Sequence, residues 1–452
     1  MTRQPPHIVI AGGGVAAVEA VAALRALAGS RPRITLLAPQ RELHRRAASV
    51  AAPFGFGAPA PLPFDAIRRH ARFALHRGTL ARVHAEAHVA IDESGEAIAY
   101  DKLLVAIGAR PEPVIPGAIC FSGPAQADEV ARALEQTPSL AFVVPTASGW
   151  SLPAYELAIM AAVELRGRGV DPQITVVTPE PAPLWVFGPE AGEAVAALLA
   201  ERGIALRTGA RAIAARDGRV ELAGGDHVIA ERAIALPRLA GPAVPGIPHD
   251  AQGFIAVDAH GRVAGTPDVF AAGDATTFPL KQGGLATQQA DAAAEAIAAE
   301  LGAAVEPAPF RPVLRGLLVT GGAPLYLRAA LSTSGAPETS RRFARTTVSQ
   351  RALWSPPTKV AGRYLAPLLA TARPPLAGAQ LQDYVGGPAA DDRDDARELA
   401  LLLAAEEAAI GDYAQALRAL DAAAAMTGGV LPAEWARRRA GWEAARAEAV
   451  RA

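Results

Sequence analysis

Gly12, Gly13 and Gly14 interrupt an otherwise apolar stretch, HIVIAGGGVAAVEAVAALRAL from His7 to Leu27, and are the first residues whose spacing implies chemistry. Gly12 and Gly14 fill the first two places of the pattern G-x-G-x-x-G/A, and Ala17 fills the third. In that pattern a backbone without Cβ atoms approaches a pyrophosphate. Amides at the start of the following helix, lacking intrahelical partners, point partial positive charge at it. The chemistry is dinucleotide binding, and the competing reading is a plain strand-turn-helix connection. Arg45 and Arg46 are suited to neutralising a diphosphate, or else are solvated surface residues.

Further along, Asp274 follows Gly273 just ahead of a helix, where it can bond a buried hydroxyl or simply cap the helix. Lys281-Gln282-Gly283-Gly284 then opens a helix whose positive end favours an anionic group, with Lys281 either adding its charge or lying exposed. Glu156 begins another helix as a candidate proton relay, the alternative being a capping or surface glutamate. Cys120 follows Pro116-Gly117 in an apolar context and reads as a small core residue rather than a nucleophile. The histidines show no metal spacing. His84 and His88, four apart, lie in a strand-like alternation that would not hold them as a chelating pair.

These side chains need a large scaffold. With 452 residues and 51% hydrophobic content, the chain can bury a substantial core and divide into two or three domains. Balanced charge, 44 basic against 45 acidic residues, gives no reason to expect nucleic acid or an anionic membrane as partner. A single cysteine excludes an intrachain disulfide or a Cys-x-x-Cys redox pair and suits a reduced, cytoplasmic setting. The first strand starts within about seven residues of Met1, which leaves no room for a leader, and no apolar run approaches the roughly 20 residues of a spanning helix.

The second strand is Arg33 to Leu37, and at its end, where an acid would meet an adenosine ribose, stand Ala38-Pro39-Gln40; Gln40 or a backbone group is the substitute. Glu42 to Pro63 reads as a long connection with one short helix, and Thr79 to Leu104 as a β-meander closing on the buried strand Lys102 to Gly108. A second βαβ unit runs from strand Leu140–Val144 through helix Pro153–Arg166 to strand Ile174–Val177. Its turn, PTASGWSL, keeps only Gly149, and Trp150 stands where an indole would fill the phosphate space. Helix Glu190–Arg202, short strands from Ile204 to Leu236, a Pro/Gly crossover from Pro237 to Pro248, strands Phe254–Val257 and Val269–Phe270, and helix Leu285–Leu301 complete the body.

The glycine pattern, KLLVAIGARP and DVFAAGDATTFP, in that order and interrupted by a second βαβ unit, together resemble the FAD-dependent pyridine nucleotide-disulfide oxidoreductase superfamily. The likeness covers about residues 5 to 305 and is strongest to the branch of type II NADH dehydrogenases and sulfide:quinone oxidoreductases. It implies an α/β fold of two Rossmann-like dinucleotide-binding domains, a small α+β C-terminal domain and a helical tail. The implied boundaries are 1–137 and 241–305 for the FAD-binding domain, 138–240 for the NAD(P)-like domain, 306–386 for the C-terminal interface domain and 387–452 for the tail. By the same resemblance Gly12, Gly14 and Ala17 hold the FAD pyrophosphate with help from Arg46, and Val83 lies by the adenine. Ala106, Gly108 and Arg110 flank the cofactor, and Gly273 and Asp274 meet its ribityl chain. The helix start at Gly284 and Leu285, with Lys281, faces the N1/O2 edge of the flavin, while Glu156 lies near the nicotinamide position.

Departures bear on the substrates. Sulfide-oxidising relatives carry a cysteine just ahead of a Pro-x-Tyr-Glu segment, whereas here Trp150, Ser151 and Leu152 precede Pro153-Ala154-Tyr155-Glu156. NADH-using relatives keep an acid at the strand end occupied here by Val177-Thr178-Pro179, so weak NAD(P)H binding is expected. The stretch from Pro307 to Val385 resembles the family's small C-terminal domain, with Trp354, Lys359 and Tyr364 as pocket or core residues. Past Gly386-Gly387-Pro388 and the acidic run Asp391 to Asp395, Leu399–Ala408 and Tyr413–Ala425 read as an amphipathic helix pair around Ile410-Gly411-Asp412, like part of a tetratricopeptide repeat. One such pair cannot bury a core alone, so it either makes a homodimer contact or folds back on its own subunit. The expected protein is an FAD enzyme moving two electrons from a small donor or NAD(P)H to a quinone-like or protein acceptor without redox cysteines. The alternative is a flavin-bound scaffold acting through its tail.

Overall fold

The computed structural model describes residues 4–55, 61–332, 334–335, 347–354, 357–360, 362–366, 368 and 431–449, with isolated positions between 401 and 424. Gly386-Gly387-Pro388, the acidic run and the turn at 410–412 lie outside the described residues, as does most of the polar loop after Ser332.

The first sheet is parallel throughout, in the order Val269–Ala271, Lys102–Val105, His7–Ala11, Arg33–Leu37, Ala74–His76. Every residue of His7–Ala11 is buried, as expected where both faces of a parallel sheet are covered. The period of two divides that strand between two cores. Ile8 and Ile10 pack under the helices Val15–Ala28 and Gly283–Glu300, and Val9 and Ala11 pack under the meander of Leu80–His84, Val89–Asp92 and Ala97–Ala99. The two helices bury mostly alanine against each other, so their backbones approach closely at the end that carries the glycines.

A second parallel sheet runs Ile119–Cys120, Arg232–Ala235, Ser139–Val143, Gln173–Val177, Ala205–Arg207. The helix Leu152–Gly167 crosses one face in the main core; the three-stranded sheet Ala212–Arg216, Arg219–Leu222, His227–Ile229 covers the other. The chain passes between the sheets along the antiparallel pair Arg110–Glu112 and Arg238–Ala240. A third, antiparallel sheet of Val313–Leu318, Leu325–Ala330 and Thr347–Ser349 sends Leu314, Leu317 and Tyr326 into the same core as Leu152 and Tyr155.

Helix limits fall within two residues of expectation at Leu152–Gly167, Pro189–Glu201 and Gly283–Glu300. Three details differ. The short helix of the long connection is a 3₁₀ stretch, Arg46–Phe54, tightened by Pro53. Phe254–Val257 makes only isolated bridges, because the turns held by the Asp250 and Asp258 carboxylates bend the chain on either side of it. His88 leaves the strand alternation for a turn at φ 53°. No helix among the described residues is long and apolar enough to cross a membrane. In the tail, Leu401, Ala404 and Leu420 form a small cluster with Leu431, Trp435 and Trp442, the latter two on the helix Ala433–Ala449.

Candidate functional site

Three strand ends and two helix starts meet above the first sheet. Gly12, at φ 124°, ends the strand His7–Ala11, and a Cβ there would collide with the Ala106 carbonyl. Gly14 precedes the helix Val15–Ala28 in extended backbone, and a Cβ on it would meet nothing within 4 Å. With no side chain on Gly14 to cap them, the first amides of that helix face open space, an anion cradle in form. Ala17 is fully buried in the helix packing, as the third place of the pattern requires. Gln40 lies against Gly13, so the amide that stands in for the ribose acid borders the cradle.

Gly273 is wedged between the two helices: a Cβ on it would lie 3.2 Å from that of Ala286 and 3.4 Å from that of Ala16. Its amide donates to Gln289 Oε1 at 2.8 Å. Asp274 takes no hydrogen bond among the described residues. Burial pushes its carboxyl pKa up, against the pull of Lys281 and Arg46. A half-buried carboxylate with no donor among the described residues, beside a phosphate-type cradle, suits a hydroxylated ligand, so these residues fit the flavin dinucleotide. Gly108, at φ 76°, likewise borders open space.

Lys281 is buried, not exposed: its ammonium donates to the Thr276 carbonyl and lies 3.9 Å from the Phe254 ring centroid. Burial lowers its pKa to about 8, with Asp274 and Asp250 pulling it back up. The ammonium form therefore dominates below that pH and is lost above it. We expect the flavin reduction potential to drop across pH 8 beyond the ordinary proton dependence, and this extra step to be missing in Lys281→Met, as read by spectroelectrochemical titration.

Glu156 is neither a cap nor a surface residue. It is 0% exposed, its Oε1 accepts the Val319 amide at 2.8 Å and forms an ion pair with Lys359, and its Oε2 has no partner among the described residues. Burial raises the carboxyl pKa and lowers that of the ammonium, so it weakens the charged forms of both partners. Lys359 reaches this point on a strap fixed by Glu19, a fully buried residue of the helix Val15–Ala28 that accepts the Tyr364 and Leu365 amides at 2.6 Å each. Next to Lys359, a Val360 methyl carbon lies 3.0 Å from where a Cβ on Gly283 would stand, which sets the strap over both helix starts.

Three further expected contact residues are placed as follows. Val83 is a core residue whose amide donates to the Pro245 carbonyl at 2.9 Å, because the crossover runs along that strand. Arg110 is exposed and donates to the Gly241 carbonyl at 3.2 Å, which ties the two crossovers together. Leu285 gives its amide to Gln282 Oε1 at 2.9 Å and buries its side chain, while Val360 and the Gln282 side chain crowd Gly283 and Gly284 at the start of that helix. The Trp150 indole is partly buried and packs edge-on against Phe187 at 5.9 Å. Cys120 is half-buried, and burial raises its thiol pKa, away from nucleophilic use.

Two features escaped the sequence reading. Counting back from Glu156, the turn does keep a spaced pattern, Gly149, Ser151 and Ala154, with serine in the second place. The acid sought at Val177-Thr178-Pro179 stands one residue later, at Glu180, and accepts from Ser151 Oγ at 2.9 Å, Tyr155 Oη at 2.7 Å and Thr178 Oγ1 at 2.9 Å. Away from the cleft, His76, Asp92 and Glu96 gather three ligand-type atoms within 4.8 Å, but Asp92 is engaged by Ser94 and the Glu96 amide in a turn.

Comparison with known proteins agrees with this geometry. Residues 6–297 match the pyridine nucleotide-disulphide oxidoreductase family. A NADH dehydrogenase-like protein of Mycobacterium tuberculosis is 26% identical over 211 residues, 42% of this chain and 52% of the relative, so the match spans about half the relative's length. The sulfide:quinone oxidoreductase of Aquifex aeolicus shares the fold with a TM-score of 0.69 at 21% identity, over 76% of this chain and 86% of that one. A ferredoxin reductase of Rhodopseudomonas palustris follows with a TM-score of 0.58 at 19% identity, over 72% of this chain and 83% of its own.

Proposed function

The chain belongs to the pyridine nucleotide-disulphide oxidoreductase family of FAD-dependent enzymes, and from that membership we propose that it moves two electrons from a small donor to a quinone-like or protein acceptor. The supporting observation is the convergence on one cleft of an open glycine cradle, the donor-free Asp274 carboxylate and the buried Glu156–Lys359 pair. When bound, FAD supplies reversible two-electron storage. The chain's own residues do the rest. Gly14 and the helix amides behind it would hold the diphosphate, Asp274 would bond the ribityl hydroxyls, and Lys281 would supply positive charge beside the flavin ring. Glu156 and Lys359 hold one proton between them in a water-poor pocket, ready to pass to an acceptor that needs a proton with its electrons. No cysteine chemistry enters: Cys120 is the only one, and it lies in the second sheet.

Anaerobic titration tests this reading. The purified protein is expected to be yellow, and the long-wavelength flavin band should bleach with a donor and return with a quinone analogue. A colourless protein, or a flavin that no quinone or ferredoxin-type acceptor reoxidises, would overturn it.

We place the homodimer contact on the tail, whose helix Ala433–Ala449 has no fully buried residue and packs only into its own small cluster among the described residues. Removal of residues 387–452 should leave FAD bound and reduce the assembly to single subunits by light scattering. An unchanged assembly mass would assign the contact elsewhere.

A further inference from the structure

The helix Leu152–Gly167 starts at the carboxyl end of the second sheet, where the family's architecture places a second dinucleotide and where helix amides favour an anion. In the spaced pattern Gly149, Ser151, Ala154, the second place is the one that must be glycine for a pyrophosphate to come close to the backbone. Ser151 stands there as the residue before the helix, and its hydroxyl points to Glu180 Oε1. The other carboxylate oxygen of Glu180 accepts from Tyr155 and Thr178. At this strand end an acid ordinarily reads ribose hydroxyls. Here three hydroxyls of the protein itself take that role.

The loop carrying Glu180 is folded down rather than open. Leu184 is fully buried in left-handed backbone, at φ 50° and ψ 40°, a conformation a branched side chain adopts only when its surroundings impose it. The Tyr155 hydroxyl donates to Glu180 Oε2 at 2.7 Å, which ties the loop to the helix. The 3₁₀ turn Trp185–Phe187 then locks the loop into the core, with Phe187 fully buried against Trp150.

We infer that the loop Thr178–Leu184 is an internal plug on the second α/β unit, and that Glu180 is a specificity residue excluding NAD(P)H. Its carboxylate lies at the first turn of the helix, where a nucleotide would place its diphosphate. A second anion entering there meets like charge and finds Ser151 and Tyr155 already engaged. The donor must then reach the flavin directly. That consequence for turnover rests on the function proposed above, whereas the binding claim does not.

The test is equilibrium binding of NADH and of NADPH to the yellow holoprotein by calorimetry. The unmodified protein should bind both no better than millimolar. Glu180→Gln removes the charge and keeps the shape, and together with Ser151→Gly it should tighten binding roughly tenfold or more. The single variant Glu180→Gln should tighten it several-fold and serves if the pair does not fold. Flavin content and thermal midpoint establish that each variant is native. Micromolar binding by the unmodified protein overturns the proposal, as does a native Glu180→Gln protein that binds no more tightly. Because flavin bleaching and reoxidation are read separately, failure of the plug and failure of the proposed activity give different results.

Discussion

Gly14→Val is expected to purify as folded, colourless protein. Gly14 has φ −86° and ψ −173°, an extended conformation open to any residue, and a Cβ there touches nothing within 4 Å. The fold should therefore lose only the difference between glycine and valine ahead of a helix, on the order of 1 kcal/mol. The cofactor loses far more, since the added branch stands over the amides that face the diphosphate. Two charge-assisted hydrogen bonds at roughly 1.5 to 3 kcal/mol each correspond to about two to four decades of affinity. Gly12→Val has the opposite expectation. Its Cβ would enter the Ala106 carbonyl, so the strand ends must part and the protein should not fold. Absorbance ratio and circular dichroism separate the two outcomes. Stoichiometric FAD in a folded Gly14→Val protein would remove the phosphate from this turn.

The contrast between those glycines marks what is legible in the sequence. Their spacing is local, so it announces a dinucleotide turn without any structure. Which glycine serves the ligand and which serves packing depends on Ala106, just past the end of a strand far off in the chain, and spacing is silent on that. The parallel strands were readable for the same local reason, as short apolar runs bounded by turns. Glu180 was not. Its partners Ser151 and Tyr155 precede it by 29 and 25 residues and come to it only because their strands are neighbours in the sheet. The pattern itself was obscured by serine in the second place and by Trp150, a bulky residue between the two places whose indole packs edge-on against Phe187. Lys359 lies further still, 203 residues from Glu156, on a strap that Glu19 anchors.

Glu156→Gln should lower turnover by about two to four decades, the usual worth of a positioned proton donor or acceptor, while FAD content stays unchanged. The amide keeps an oxygen for the Val319 N–H at the same place, and burial lowers the Lys359 pKa, so the amine left without its carboxylate can shed its charge and the fold should lose little. Lys359→Met differs in kind. It leaves a fully buried carboxyl without its cation, and removing one member of a buried pair typically costs about 3 to 5 kcal/mol unless the survivor is neutralised. The carboxyl can escape that cost by taking up a proton. Its pKa, already raised by burial, then rises further, and Lys359→Met should hold the proton through the pH range in which the native pair exchanges it. Rapid mixing of prereduced enzyme with a quinone analogue reads the step directly. Glu156→Gln should reoxidise slowly at every pH, and Lys359→Met should shift the pH profile upward. Reoxidation of Glu156→Gln within about threefold of the native rate would show that the acceptor draws its proton from solvent, and that the buried pair serves only to fasten the strap.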